Sequence, residues 1–303
     1  MSKPVLIRSD GRPIARGESG ARASTSPMGG ASARLGGEEN DGLRTRSAQL
    51  DNYIPVVSFP KSGNTWMRHI LSNLLFDGSL DAIPDCHRQP IGDAPTTVMR
   101  NGETVRLFKT HHKRLYNVIG ETEINPIEAI YLVRHPLDTF LSMLNYYFLD
   151  PDEIESHTLR SEWNYGNLRV EDPFSEPHLD AFLNAFLVFG TINPASDRVG
   201  GWAEHADYWL NRANTRFPVN VIRYEDLVER GAERLHYIAG AFDRTPEQLD
   251  TAFETAQDQT RRDGKFFWKQ QPGHYVDYFT EAQLERARQL LPQELMLRLG
   301  YTI

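Results

Sequence analysis

Cysteine is nearly absent from this chain. Cys86 is the only one among 303 residues, which excludes an intramolecular disulfide and a zinc cluster built on thiolates. Long apolar runs are missing as well. No stretch approaches the roughly 20 residues that a membrane-spanning helix needs, and no charged-then-apolar leader opens the sequence. Positive charge is in deficit, with 33 Lys and Arg against 41 Asp and Glu and a net charge of −8. That balance argues against general nucleic-acid binding. These absences fit a reducing, cytoplasmic setting, and they require any anionic ligand to be held by a few local cations.

Residues 1–50 are rich in Gly, Ser, Ala and Arg, poor in aromatics, and without a sustained helix or strand period. Such a segment buries too little apolar surface to offset its chain entropy, so a disordered N-terminal arm is expected. From 51 to 303 the text alternates. Strand-like runs fall at 54–59, 105–109, 129–133 and 219–223, and helical periods at 66–76, 137–148, 179–189, 202–212, 246–256 and 281–291. Alternation of this kind predicts one α/β domain with a central, mostly parallel sheet flanked by helices on both faces. The stretch 150–200 reads as an insertion over the sheet edge. Its aromatics Trp163, Tyr165, Phe174, Phe182, Phe186 and Phe189 either line an apolar acceptor pocket or belong to a helix packed on the sheet.

The densest signal is Ile54-Pro-Val-Val-Ser-Phe-Pro-Lys-Ser-Gly-Asn-Thr-Trp66. A short strand stops at Pro60, and Met67, Ile70, Leu71, Leu74 and Leu75 then recur at helical spacing. The turn between them carries Lys61, Ser62, Gly63, Asn64 and Thr65. A strand–loop–helix of this kind aims backbone N–H groups and the helix dipole at an anion. The nucleoside-triphosphate loop G-x-x-x-x-G-K-S/T is absent, because here the lysine precedes the glycine. A second anchor is Ala129–Asp138, a strand ending in Arg134 followed by a helix that carries Ser142. An arginine at the carboxyl end of a parallel strand suits phosphate by its planar fork, although a surface pair with Asp138 is the alternative. A third is Val105–His112, a strand ending in Lys109, Thr110 and His111. Histidine is the side chain whose ordinary pKa best suits proton removal near neutrality.

The order Pro-Lys-Ser-Gly-Asn-Thr-Trp resembles the phosphosulfate loop of sulfotransferases that use 3′-phosphoadenosine 5′-phosphosulfate (PAPS). The resemblance extends from about 54 to 291 and implies a P-loop-kinase-like fold. It implies that Ser62 to Thr65 hold the 5′-phosphate and that Arg134 and Ser142 hold the 3′-phosphate. It implies that Trp66 stacks on the base with Tyr224 near the adenine, core packing being the other role for both aromatics. Sulfuryl transfer to a hydroxyl of a small-molecule, lipid or glycan acceptor would follow, with no metal. Lys61 would balance charge on the bridging oxygen, Lys109 would steady the sulfuryl oxygens, and His111 would be the general base. Gly201-Trp-Ala-Glu-His205 resembles a structural helix of the family, and Val219–Leu227 its Y-E-D strand.

Near the C-terminus the pattern departs. Phe266-Phe-Trp-Lys-Gln-Gln-Pro-Gly273 aligns with the family's 3′-phosphate clamp, but Trp268 replaces an arginine and Gln270 a glycine. Lys269 is retained as a donor. Of the family's short dimerisation motif only Thr280 and Glu285 remain, which leaves the oligomeric state open. Two other functions stay in play: a non-catalytic nucleotide-binding relative, and a kinase of similar fold.

Overall fold

The computed structural model describes residues 50–86, 96–115, 124–148, 174–192, 198–261 and 271–303. The expected N-terminal arm, Trp163, Tyr165 and Lys269 lie outside these residues. Within them, strand β1 (Leu50–Ser58) is central. It pairs in parallel with β3 (Glu103–Thr110) on one side and with β5 (Ala129–Val133) on the other, and β5 pairs in parallel with β6 (Val219–Arg223). A short β4 (Ile124–Pro126) joins the start of β1. The antiparallel edge strand β2 (Thr97–Arg100) reaches β3 through Asn101 and Gly102, at φ 49° and 81°. Two consecutive positive φ values are what a tight two-residue hairpin requires, and Asn-Gly supplies them at low cost. The sequence reading passed over this pair.

Helices cover both faces, as the alternation predicts. Side chains on a strand point alternately to opposite faces, and β1 and β5 divide their residues accordingly. Ile54, Val56, Ile130 and Leu132 pack with α1 (Asn64–Leu75), α6 (Tyr224–Arg230), α7 (His236–Ala241) and α8 (Pro246–Arg261). Val57, Ala129, Tyr131 and Val133 pack with α2 (Pro136–Phe148), α3 (Glu176–Phe189), α4 (Trp202–Leu210), α9 (Glu281–Leu290) and α10 (Gln293–Arg298). The predicted helix 202–212 breaks at Asn211, which is extended (φ −94°, ψ 106°) and whose side chain accepts from Ala213 N–H to start α5 (Arg212–Thr215).

Parallel pairing brings the carboxyl ends of the strands to one edge of the sheet. Val57 is level with Thr110, Ser58 with Leu132, and Val133 with Arg223. The next residues along each strand are therefore neighbours: the Lys61 loop, His111, Arg134 and Tyr224. With β1 flanked by later strands on both sides, this edge is the crevice where open α/β sheets bind ligands.

Candidate active site

The loop after β1 depends on left-handed backbone at two points. Lys61 has φ 67° and Gly63 φ 97°. A Cβ on Gly63 would stand 2.9 Å from Cδ2 of Tyr224, so only glycine lets the loop close onto that ring. Gly63 is the N-cap of α1; no side chain caps the helix and its first turn has no acidic residue. The orphan amides and positive dipole end of α1 thus remain for an anion. Asn64 turns back instead. Its Nδ2 donates to Val56 O (3.1 Å) and Ser58 Oγ (3.2 Å), which ties the loop to its strand. The Ser62 hydroxyl is buried with no hydrogen-bond partner among the described residues. Thr65 is half-buried in the first turn of α1. Lys61 Nζ sits 4.3 Å from the ring centroid of Tyr146 on α2.

Arg134 follows β5 and is 4% exposed. Its Cζ lies 4.3 Å over the Tyr224 ring, and Nη1 reaches Lys61 O at 3.4 Å. Nε and Nη2 are buried with no hydrogen-bond partner among the described residues. The alternative surface pair with Asp138 is not formed. Asp138 is fully buried and accepts from the N–H groups of Gly273 (2.6 Å) and Tyr275 (3.1 Å), with His274 Nδ1, hydrogen-bonded to Gln271 O at 2.8 Å, standing 3.1 Å from its carboxylate. Ser142 is buried on α2, the helix that begins two residues after Arg134. Trp66 is buried with its ring against Tyr224 (centroids 5.9 Å) and Phe253 (5.2 Å), and its Nε1 finds no partner among the described residues. Tyr224 therefore touches the loop glycine, the arginine and the tryptophan together.

Behind Arg134 lies a polar group that the sequence did not announce. Glu225 accepts from His135 N–H (2.8 Å) and the Tyr301 hydroxyl (2.9 Å), and burial raises its pKa. His135 stacks on Tyr275 at 4.4 Å and donates from Nε2 to Thr302 O (3.2 Å). Burial lowers its pKa to about 4, so the ring is neutral.

On the other flank of β1, Lys109 is buried and its ammonium meets Asp85 at 2.7 Å. The backbone makes the same pairing, with Lys109 N–H donating to Pro84 O and Cys86 N–H to Lys109 O. Asp85 was missed because it is 24 residues away and its run, Ile83-Pro-Asp-Cys86, has no strand period. His111 is half-buried, with Nδ1 2.8 Å from Ser58 O and 3.2 Å from Ser58 Oγ. A carbonyl only accepts, so Nδ1 carries the proton and Nε2 is the basic nitrogen.

The alternatives for the 150–200 aromatics separate within the described part. Phe182 and Phe186 are buried in the core, with Phe186 5.4 Å from Phe140, so both are packing residues. Phe174 packs on Tyr278, and Phe189 is exposed. No described helix is long and apolar enough to cross a membrane. Among the described residues no group of three or more His, Cys, Asp or Glu side chains is arranged to hold a metal ion.

Comparison with known proteins matches residues 51–298 to the sulfotransferase domain model. Sulfotransferase 1A1 of Canis lupus familiaris is 24% identical over 215 residues, 66% of this chain and 62% of the dog protein. Sulfotransferase 2A1 of Mus musculus is 24% identical over 269 residues, 80% of this chain and 84% of the mouse protein. Among solved structures, mouse sulfotransferase SULT7A1 complexed with PAP superposes with a TM-score of 0.51 at 20% identity, covering 84% of this chain and 91% of that one. That likeness is one of fold.

Proposed function

Because this chain belongs to the sulfotransferase domain family, we propose that it transfers a sulfuryl group from PAPS to the hydroxyl of a small-molecule, lipid or glycan acceptor. The carrying observation is Arg134, a buried guanidinium with two nitrogens that no described residue satisfies, at the same edge as the α1 amides. A buried cation left in that state is costly unless a ligand completes it. An adenosine carrying phosphates at both 3′ and 5′ positions offers two anionic groups to this cationic edge. The residues fit the group: Arg134 and Ser142 for the 3′-phosphate, Ser62 to Thr65 and Lys61 for the 5′ end, Trp66 and Tyr224 beside the base. Lys269 would be a further phosphate donor.

Bound there, PAPS supplies a sulfuryl group on a good leaving oxygen. The chain's own task is then positioning and charge balance, as in phosphoryl transfer. Lys61 places positive charge beside the oxygen from which the sulfuryl group departs. His111, with Nδ1 committed to Ser58 O, takes the acceptor proton on Nε2. A second reading, a nucleotide-binding relative without transfer, draws on the Lys109–Asp85 pair, which neutralises the cation assigned to the sulfuryl oxygens.

Calorimetry with PAP, together with labelled-PAPS assays across hydroxylated acceptors, separates the two. Tight binding with transfer supports the enzyme, and tight binding without transfer to any acceptor supports the relative. His111→Ala is expected to lower turnover by about 10²–10⁴-fold while PAP affinity stays within about twofold. Lys61→Ala should damage both. Retention of most activity in His111→Ala would sink the base assignment.

A further inference from the structure

Helix α4 presents Trp202, His205 and Trp209 on one face, spaced three and four residues apart. Each donates to a main-chain carbonyl at the sheet edge: Trp202 Nε1 to Arg134 O (3.1 Å), His205 Nε2 to His111 O (3.2 Å), and Trp209 Nε1 to His112 O (3.3 Å). One helix face therefore holds the backbone at the ends of both strands that carry the candidate arginine and the candidate base. The two indoles double as core-filling rings. His205 does not have that excuse. It is fully buried among Phe59 (centroids 5.9 Å) and Tyr131 (5.6 Å), where an apolar side chain would pack without a desolvation cost.

Its hydrogen bonds define a single arrangement. The His111 carbonyl can only accept, so His205 carries its proton on Nε2. Nδ1 is then an acceptor, and it faces the Tyr131 hydroxyl at 3.1 Å. Burial pushes the His205 pKa down to about 3, so the imidazole stays neutral and this arrangement persists through the physiological range. His111 is consequently fixed at two points, its carbonyl by His205 and its ring Nδ1 by Ser58 O. Two such points restrain the rotation that decides where Nε2 is aimed.

We propose that His205 is a positioning residue that aims the His111 imidazole through its backbone carbonyl, with Tyr131 fixing the tautomer; this rests on the reading of His111 as the base. Substitutions of different reach separate positioning from packing. In His205→Gln the amide nitrogen stands where Nε2 stood and keeps the donor to His111 O. In His205→Asn it reaches only as far as Nδ1, toward Tyr131. The expected result is turnover within about threefold of the unmutated protein for Gln and a loss of about tenfold or more for Asn, with PAP affinity within about twofold in both. In a His111→Ala background the Asn substitution should cost less than about twofold. Equal losses for Gln and Asn, an undiminished loss in that background, or a loss confined to PAP affinity would each overturn the assignment. The single variant His111→Ala tests the base itself, so failure of that reading is told apart from failure of this one. A second test needs no variant that folds poorly: tautomer-sensitive ¹⁵N shifts of the unmutated protein should report His205 protonated on Nε2, and a proton on Nδ1 would overturn the proposal.

Discussion

The two flanks of β1 each bury a cation, and they treat it in opposite ways. Lys109 is matched by Asp85 at 2.7 Å, side chain to side chain and backbone to backbone. Arg134 has an aromatic face and one long contact to a carbonyl, with Nε and Nη2 unmatched among the described residues. The first arrangement pairs opposite charges within the protein, so removing either partner would strand the other in a buried site. The second leaves two buried donors unmatched among the described residues, the state from which the proposed phosphate contact starts.

Breaking each flank should therefore give opposite signatures. Asp85→Ala removes the carboxylate from a buried ammonium, a change that costs about 3–5 kcal/mol of stability. Urea unfolding should show this as a lower midpoint, and an unchanged midpoint would mean that the pair is not held in solution. Arg134→Met should do the reverse. Losing the Tyr224 contact costs about 0.5–2 kcal/mol, but the buried charge and its desolvation penalty go with it. The net stability change is expected within about 1 kcal/mol of zero. PAP affinity should fall by about a hundredfold or more, because a charge-assisted, two-pronged contact to phosphate is lost. Comparable damage to stability at both sites would erase the contrast.

How much of this was readable in the sequence follows the range of the interactions. The Lys61 loop was legible because Pro60 ends a strand, Gly63 supplies φ 97°, and the apolar period of α1 starts at once. Arg134 was legible as the first residue after an all-buried strand, two positions before Pro136. The 246–256 helix was found but runs on to Arg261, since its last turns are polar and carry a weaker period. What the sequence hid is long-range pairing: Asp85 with Lys109, Glu225 with His135 and Tyr301, His205 with His111. Each joins residues 24 to 94 positions apart, and no local spacing encodes which carboxylate or imidazole faces which strand end. Asp138 illustrates the same limit. Four residues after Arg134 it invites a helix-surface pair, yet the turn at Gly273–Tyr275 takes its carboxylate.

Both flanks also rest on a buried neutral histidine, His135 next to Arg134 and His205 behind His111, and acid should distinguish them. Burial lowers their pKa values to about 4 and about 3, below the 6.5 of an exposed imidazole. As pH falls below 6.5 the unfolded chain takes up protons that the folded protein refuses. Stability is then fully present above that pH and is lost on acidification, by up to about 1.4 kcal/mol per pH unit for each group. The His135 contribution ends as pH passes about 4, while that of His205 continues to about 3. Glu225 opposes both: its raised pKa means that the folded state holds a proton the unfolded chain has released, so its effect is to lose stability as pH rises through its own range. Comparing each variant with the unmutated protein removes that common background. His135→Gln and His205→Gln should each flatten the dependence of unfolding free energy on pH by about one proton between pH 6 and 5. A slope unchanged by either substitution would mean that the histidine is protonated in the folded state, and at His205 it would also remove the fixed tautomer on which the aim of His111 depends.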